Sequence, residues 1–205
     1  MKERFDFEER VSQSIKASIA VKQRLLASAE IISMVAKASE IVVDALNHGN
    51  KILLFGNGGS AADAQHIAAE FVGRFAFDRP ALPALALSEN SSSLTAIGND
   101  YGFDLVFSRQ VEAVGRVGDV AIGISTSGNS RNVVKAMSAA KKIGLQTIAF
   151  TGCSGGELAR AVDHCISVPS NETARVQECH ILIGHILSDL VERTIFNEQS
   201  CVSGS

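Results

Sequence analysis

No Gly or Pro interrupts the first 48 residues, and apolar side chains recur there at helical spacing: Val11, Ile15 and Ile19, then Leu25, Ala29, Ile32, Val35, Val42 and Leu46. This recurrence predicts helix throughout. One helix of that length is out of proportion to a compact domain, so the pattern predicts two helices with a break near Ser28. The first, polar on one face, is expected to be an arm that packs against another subunit. A helical cap over its own domain would show the same amphipathicity, which cannot choose between the two.

From Lys51 the pattern changes to short apolar runs alternating with helical segments. Strands are predicted at Lys51–Phe55, Pro83–Leu87, Val120–Ile124, Leu145–Phe150 and Cys165–Val168. Helices are predicted from Gly59 to about Phe75, briefly within Ser88–Asp100, over Tyr101–Val117 and Asn132–Ile143, and finally over Thr173–Phe196. Ser154 and Glu157 have the spacing of a capping box at the start of a further helix. Strands rich in Val, Ile, Leu and Ala, alternating with helices, predict an α/β fold: a parallel sheet of five strands covered on both faces. The expected organisation is an N-terminal helical arm (1–48), one α/β domain (49–197) and a disordered tail (198–205).

Composition narrows the function classes. With 205 residues, 19 Lys and Arg against 22 Asp and Glu, and a net charge of −3, the chain carries no basic cluster of the kind nucleic-acid binding requires. Its mean hydropathy of +0.17 is that of a slightly apolar globular chain. No apolar run approaches the roughly 18 residues of a spanning helix, and the charged stretch Met1–Arg10 is unlike a signal peptide. A cytoplasmic protein with no membrane partner is expected. Its four cysteines (Cys153, Cys165, Cys179, Cys201) show no C-x-x-C spacing and read as reduced thiols.

Candidate chemistry gathers where strands end. Val120–Ile124 runs into Ser125-Thr-Ser-Gly-Asn-Ser130, which offers four hydroxyls (Ser125, Thr126, Ser127, Ser130) ahead of a helix. Hydroxyls and backbone amides at a helix N-terminus suit a phosphate dianion; an ordinary turn with capping serines is the plainer alternative. Leu53-Leu-Phe-Gly-Asn-Gly-Gly-Ser60 repeats the same strand, small-residue loop and helix, and a third such loop follows Phe150. In an open parallel sheet these loops share one edge, where ligands bind. Just after the second loop, His66 and Glu70 stand one helical turn apart, a spacing that suits a metal or a base with its partner, and equally a solvated helix pair. The last helix carries Gln177, His180 and His185. Gln177 and His185 are separated by about 12 Å along an ideal helix and about 80° around it. That separation makes it hard for both to reach one ion from one helix and favours a site at a subunit interface. Asp63 and Gln65 read as capping or polar-face residues and Arg175 as a structural ion-pair partner.

Gly56-Asn-Gly-Gly-Ser60, His66-x-x-x-Glu70, Gly98-Asn-Asp100, Phe107–Arg116, Gly123–Ser130 and Thr173-Ala-Arg-Val-Gln-Glu178 together resemble the phosphoheptose isomerases of the sugar isomerase (SIS) superfamily. The resemblance implies a flavodoxin-like five-stranded sheet, a homotetramer with active sites between subunits, and a seven-carbon ketose phosphate, sedoheptulose 7-phosphate, as substrate. It implies that Ser125, Thr126, Ser127 and Ser130 hold the phosphate. It assigns Asn57, Gly58, Gly59, Asn99, Asp100 and Gln177 to the sugar, and Glu70 and His185 to acid–base work, Glu70 also contacting substrate. His66, Glu70, Gln177 and His185 match the ligands of one zinc per subunit. A carboxylate that ligates zinc is a poorer base, so the two duties of Glu70 compete. The DnaA-binding replication regulators share these loops without isomerase activity; they lack the carboxylate and histidine that this chain has at Glu70 and His185.

Overall fold

In the computed structural model, which describes residues 6–196, five parallel strands are hydrogen-bonded in the order β2-β1-β3-β4-β5. They are β1 (Ile52–Gly56), β2 (Ala84–Ala86), β3 (Val120–Ser125), β4 (Gln146–Thr151) and β5 (His164–Ser167). Eight α-helices connect and precede them: α1 (Phe7–Ala27), α2 (Ala29–Asn47), α3 (Gly59–Val72), α4 (Ser91–Tyr101), α5 (Ser108–Val114), α6 (Arg131–Ile143), α7 (Gly156–Ala161) and α8 (Thr173–Phe196). This is the flavodoxin-like order, whose topological switch point lies between β1 and β3.

Period-two alternation along the buried strands splits the core in two. Ile52, Leu54, Ile122, Ile148 and Phe150 pack with side chains of α1, α2, α3 and α8. Leu53, Phe55, Ala121 and Ala149 face the opposite layer, where Val106, Phe107, Val111, Val133, Met137 and Leu158 cover them. The sheet is therefore closed on both faces, as its near-continuous apolar strands require.

The break between the first helices falls at Ser28, whose backbone is extended and whose hydroxyl caps α2 by accepting from the Ile31 amide (3.3 Å). α1 docks through Val21 and Leu25 and through polar ties to α8, the Arg175 guanidinium donating to the Ser14 carbonyl (2.6 Å). Arg175 also pairs with Glu178 at 2.7 Å, the ion-pair role expected of it. Phe7, Val11, Ile15 and Ile19 remain exposed as a stripe along α1.

Three expectations fail locally. The helix expected over Tyr101–Val117 is broken: α4 ends at Tyr101 because Gly102 takes φ 89°, and a short 3-10 turn (Phe103–Leu105) precedes α5. The capping box at Ser154 does not form. Gly155 and Gly156 both take positive φ, and the Glu157 amide donates to Asn129 of a different loop. α3 also stops at Val72, before Phe75. The tail 198–205 lies outside the described residues, as does Cys201; Cys153, Cys165 and Cys179 are free thiols.

Candidate active site

The loops after β1 and β3 flank the switch point, one on each side. After β3, the hydroxyls form a cluster rather than a cap: Ser125 Oγ lies 2.9 Å from Ser130 Oγ and 3.5 Å from Ser127 Oγ. Ser130 is the N-cap residue of α6, yet its side chain makes no hydrogen bond to the helix amides. The plain capping account of these serines therefore fails for Ser130. Gly128 (φ 67°) lies so close to the Gly155 carbonyl that a Cβ would collide with backbone. The Gly152 amide donates to the Thr126 carbonyl at 3.0 Å, so the third loop braces the hydroxyl loop from behind. The result is a rigid, half-exposed cradle at the N-terminus of a 13-residue helix, suited to an oxyanion.

After β1, Gly56 is fixed by contact, since a Cβ there would meet the Ile124 carbonyl at 2.8 Å. Gly58 begins α3 at φ 57°. Gly59 leaves room for the Gln177 side chain, which a Cβ would strike. Asn57 exchanges two hydrogen bonds of 2.9 Å with Asn132 of α6. Asn99 and Asp100 lie exposed in the last turn of α4, the Asn99 amide donating to Asp100 at 2.8 Å. Nearby Asp104 reaches back to Lys135 of α6 at 3.1 Å.

α3 and α8 run side by side in the same direction. Gly184 permits this, because a Cβ there would run into Ile67. The pairing brings three expected residues to one point. His66 Nε2 is 3.0 Å from His185 Nε2 and 3.2 Å from Glu70 Oε1, and one ligand atom from each lies within 4.8 Å of the others. Two imidazole nitrogens cannot face each other across this distance both protonated; the space between them calls for a shared proton or a cation. A tetrahedral zinc site with bonds of about 2.0–2.1 Å separates its ligand atoms by roughly 3.3 Å, close to these spacings. His66 is exposed and Glu70 and His185 are half-buried, so the cluster opens to solvent. Gln177 stands apart. It packs at the first turn of α3, which is about 10 Å before His66 along the helix axis.

Residues 16–152 match the SIS domain family. The chain is 53% identical over 189 residues to the phosphoheptose isomerase of Aneurinibacillus thermoaerophilus, covering 92% of this chain and 96% of the relative. It is also 53% identical over 188 residues to the phosphoheptose isomerase of Aquifex aeolicus, covering 91% of this chain and 97% of that relative. The chain belongs to the phosphoheptose isomerase family. Solved family structures superpose over almost their whole length: the Neisseria gonorrhoeae phosphoheptose isomerase with a TM-score of 0.86 at 46% identity, covering 91% of this chain and 99% of that one. The Francisella tularensis protein gives 0.88 at 36%, covering 92% and 100%. The five-stranded SIS fold expected of the family is thus the fold observed.

Sequence reasoning passed over several polar residues around the cluster. Glu192, two turns beyond His185, is almost fully buried and accepts the amides of Phe75 (2.8 Å), Ala76 (2.6 Å) and Phe77 (3.2 Å) and the Arg79 guanidinium (2.8 Å). Burial would raise its carboxyl, but these donors outweigh burial and hold it below the ordinary carboxylate range. Arg79 in turn donates to the carbonyls of Glu70 (2.7 Å) and Phe71 (2.7 Å), and the Phe75 ring lies 5.6 Å from that of His185. The clamp therefore ties the C-terminal end of α3 to α8 beside Glu70 and His185. Gln65 donates to Ser88 Oγ at 3.2 Å, the polar-face role expected. Asp63 is not a cap: one carboxylate oxygen is buried without a hydrogen-bond partner, and burial pushes its pKa up to about 6 against the opposing pull of His66. No local pattern marks Glu192; its only sequence signal is a carboxylate on the apolar face of the last helix.

Proposed function

We propose that the protein converts D-sedoheptulose 7-phosphate to D-glycero-D-manno-heptose 7-phosphate, moving the carbonyl between C2 and C1 through an enediol. The observation that carries this reading is the convergence of His66, Glu70 and His185 between α3 and α8, in a chain whose β3–α6 loop forms a cradle of hydroxyls. The reaction removes a proton from one carbon and returns one to its neighbour, which needs a base, an acid and stabilisation of a negative oxygen. In this reading Glu70 takes the carbon-bound proton and His185 serves the oxygens. Ser125, Thr126, Ser127 and Ser130 hold the phosphate, and binding energy at that remote group orients the reacting carbons. Asn57, Gly58, Gly59, Asn99, Asp100 and Gln177 serve the sugar.

The donor set suits one zinc per subunit, with His66, Glu70 and His185 as ligands and Gln177 as the fourth. Such an ion would polarise the substrate oxygens as a Lewis acid. The distance of Gln177 from the triad along α3 favours its arriving from a neighbouring subunit. A homotetramer with active sites between subunits accommodates this, and the exposed α1 stripe of Phe7, Val11, Ile15 and Ile19 offers apolar surface for the assembly. No described helix is long and apolar enough to cross a membrane. A cytoplasmic enzyme supplying heptose for the lipopolysaccharide core accords with this.

The alternative of a binding module for DnaA has less support, because it gives no work to Glu70 and His185. Turnover of sedoheptulose 7-phosphate by purified protein tests the proposal: aldose product is expected, and its absence under every metal condition would transfer the argument to the binding module. Isomerisation of a different sugar phosphate in its place would retain the chemistry and correct the substrate.

A further inference from the structure

Asn57 and Asn132 face one another across the switch point, 75 residues apart in sequence. The Asn57 amide donates to Asn132 Oδ1, and the Asn132 amide donates to Asn57 Oδ1, both at 2.9 Å. A facing pair of amides can ordinarily be drawn either way round, since O and N exchange places without loss. Here a third contact removes the ambiguity. The Val133 backbone N–H lies 2.9 Å from Asn132 Oδ1, and a backbone N–H can only donate. The Asn132 oxygen is therefore fixed, its nitrogen must face the Asn57 oxygen, and the polarity of Asn57 follows.

The capacities then divide unequally. Asn132 is buried (3% exposed), and its oxygen accepts two bonds while its nitrogen gives one to Asn57. Asn57 is half-buried and keeps one N–H and one lone pair for its outer edge. Resting on the reading of Asn57 as a sugar contact, we infer that Asn132 is a positioning residue: it orients the Asn57 amide so that a donor and an acceptor meet the sugar in fixed order. Its action runs through Asn57 and leaves the hydroxyl cradle alone.

Asn132→Ser removes the amide that meets Asn57 without adding charge to the first turn of α6, where a carboxylate would itself repel a bound phosphate. Losing the paired hydrogen bonds frees the Asn57 amide to turn and lowers kcat/KM by between about 10- and 100-fold. The test is a double-mutant cycle on kcat/KM for sedoheptulose 7-phosphate, using wild type, Asn132→Ser, Asn57→Ala and the double variant. The expected result is that large loss in the wild-type background and almost none in the Asn57→Ala background. The inhibition constant of inorganic phosphate is expected to stay unchanged in Asn132→Ser. Equal losses in both backgrounds, a wild-type rate in Asn132→Ser, or weakened phosphate inhibition would each overturn the inference while wild-type turnover stands. Absence of wild-type turnover would instead remove the reading beneath it. Asn132→Ala enters the same cycle if the Ser variant does not fold.

Discussion

Glu70 is the residue on which the proposed chemistry turns. Its carboxylate touches His66 one helical turn away, and its own carbonyl is held by Arg79, so neither end is free to wander. Glu70→Gln keeps the size and removes both the basicity and most of the affinity for a metal. The expected loss in kcat is about 10²- to 10⁴-fold. The pairing with exposed His66 is worth at most about 1 kcal/mol, so the thermal midpoint is expected to move little. Steady-state kinetics beside a melting curve checks both, and retained turnover would take Glu70 out of the mechanism. At this scale the sequence was informative in kind: His66 and Glu70 stood out by residue type and spacing, and His185 joined them through the family resemblance. What it concealed was partners supplied from distant segments, such as Asn132 for Asn57 and Arg79 for Glu70.

The elements around the site depend on buried polar groups that periodicity does not reveal. Apolar spacing was enough to find α3, α6, α8 and the strands, because one face of each is buried in a single layer. It misplaced the end of α3, since Glu192 of α8 gathers the amides that would otherwise extend that helix. The Ser154 capping box failed for a similar reason: Asn129, from another loop, reaches the amide first. Glu192→Ala leaves Arg79 buried without its partner and is expected to cost about 3–5 kcal/mol by chemical denaturation. A cost below about 1 kcal/mol would show that the clamp is not what joins α3 to α8. His180 governs a second property of α8. It is fully buried against Phe150, its Nε2 is 3.1 Å from the Thr151 carbonyl, and burial lowers its pKa from 6.5 to about 4. A histidine held neutral in the folded state takes up its proton more readily when unfolded. Its stabilising contribution is therefore full above pH 6.5 and lost as pH falls from there towards 4, by about 3 kcal/mol. Unfolding free energies across this range should fall more steeply for wild type than for His180→Gln; parallel curves would contradict the assignment.

At the scale of the molecule, the cradle sits at the strand-end edge where α6 begins, while the triad lies about 10 Å or more along α3 from that edge and on the opposite covering layer. α6 covers one face of the sheet, while α3 and α8 cover the other. The loops after β1, β3 and β4 share one edge of the parallel sheet, as their strand-ending positions predict. Whether α1 is an arm or a cap was not legible, because amphipathicity records that a face is apolar and not what covers it. The fold sharpens the question: Val21 and Leu25 are buried at the C-terminal end of α1, while Val11 and Ile15 remain 59% and 56% exposed. Val11→Asp combined with Ile15→Asp is expected to reduce the assembly's mass in light scattering while leaving the circular dichroism spectrum intact. An unchanged mass would assign that stripe no part in assembly. The most direct test of the central claim is turnover of sedoheptulose 7-phosphate before chelation, after it, and after zinc is restored. The account predicts activity that disappears with the metal and returns with zinc; full activity in metal-stripped protein would contradict it.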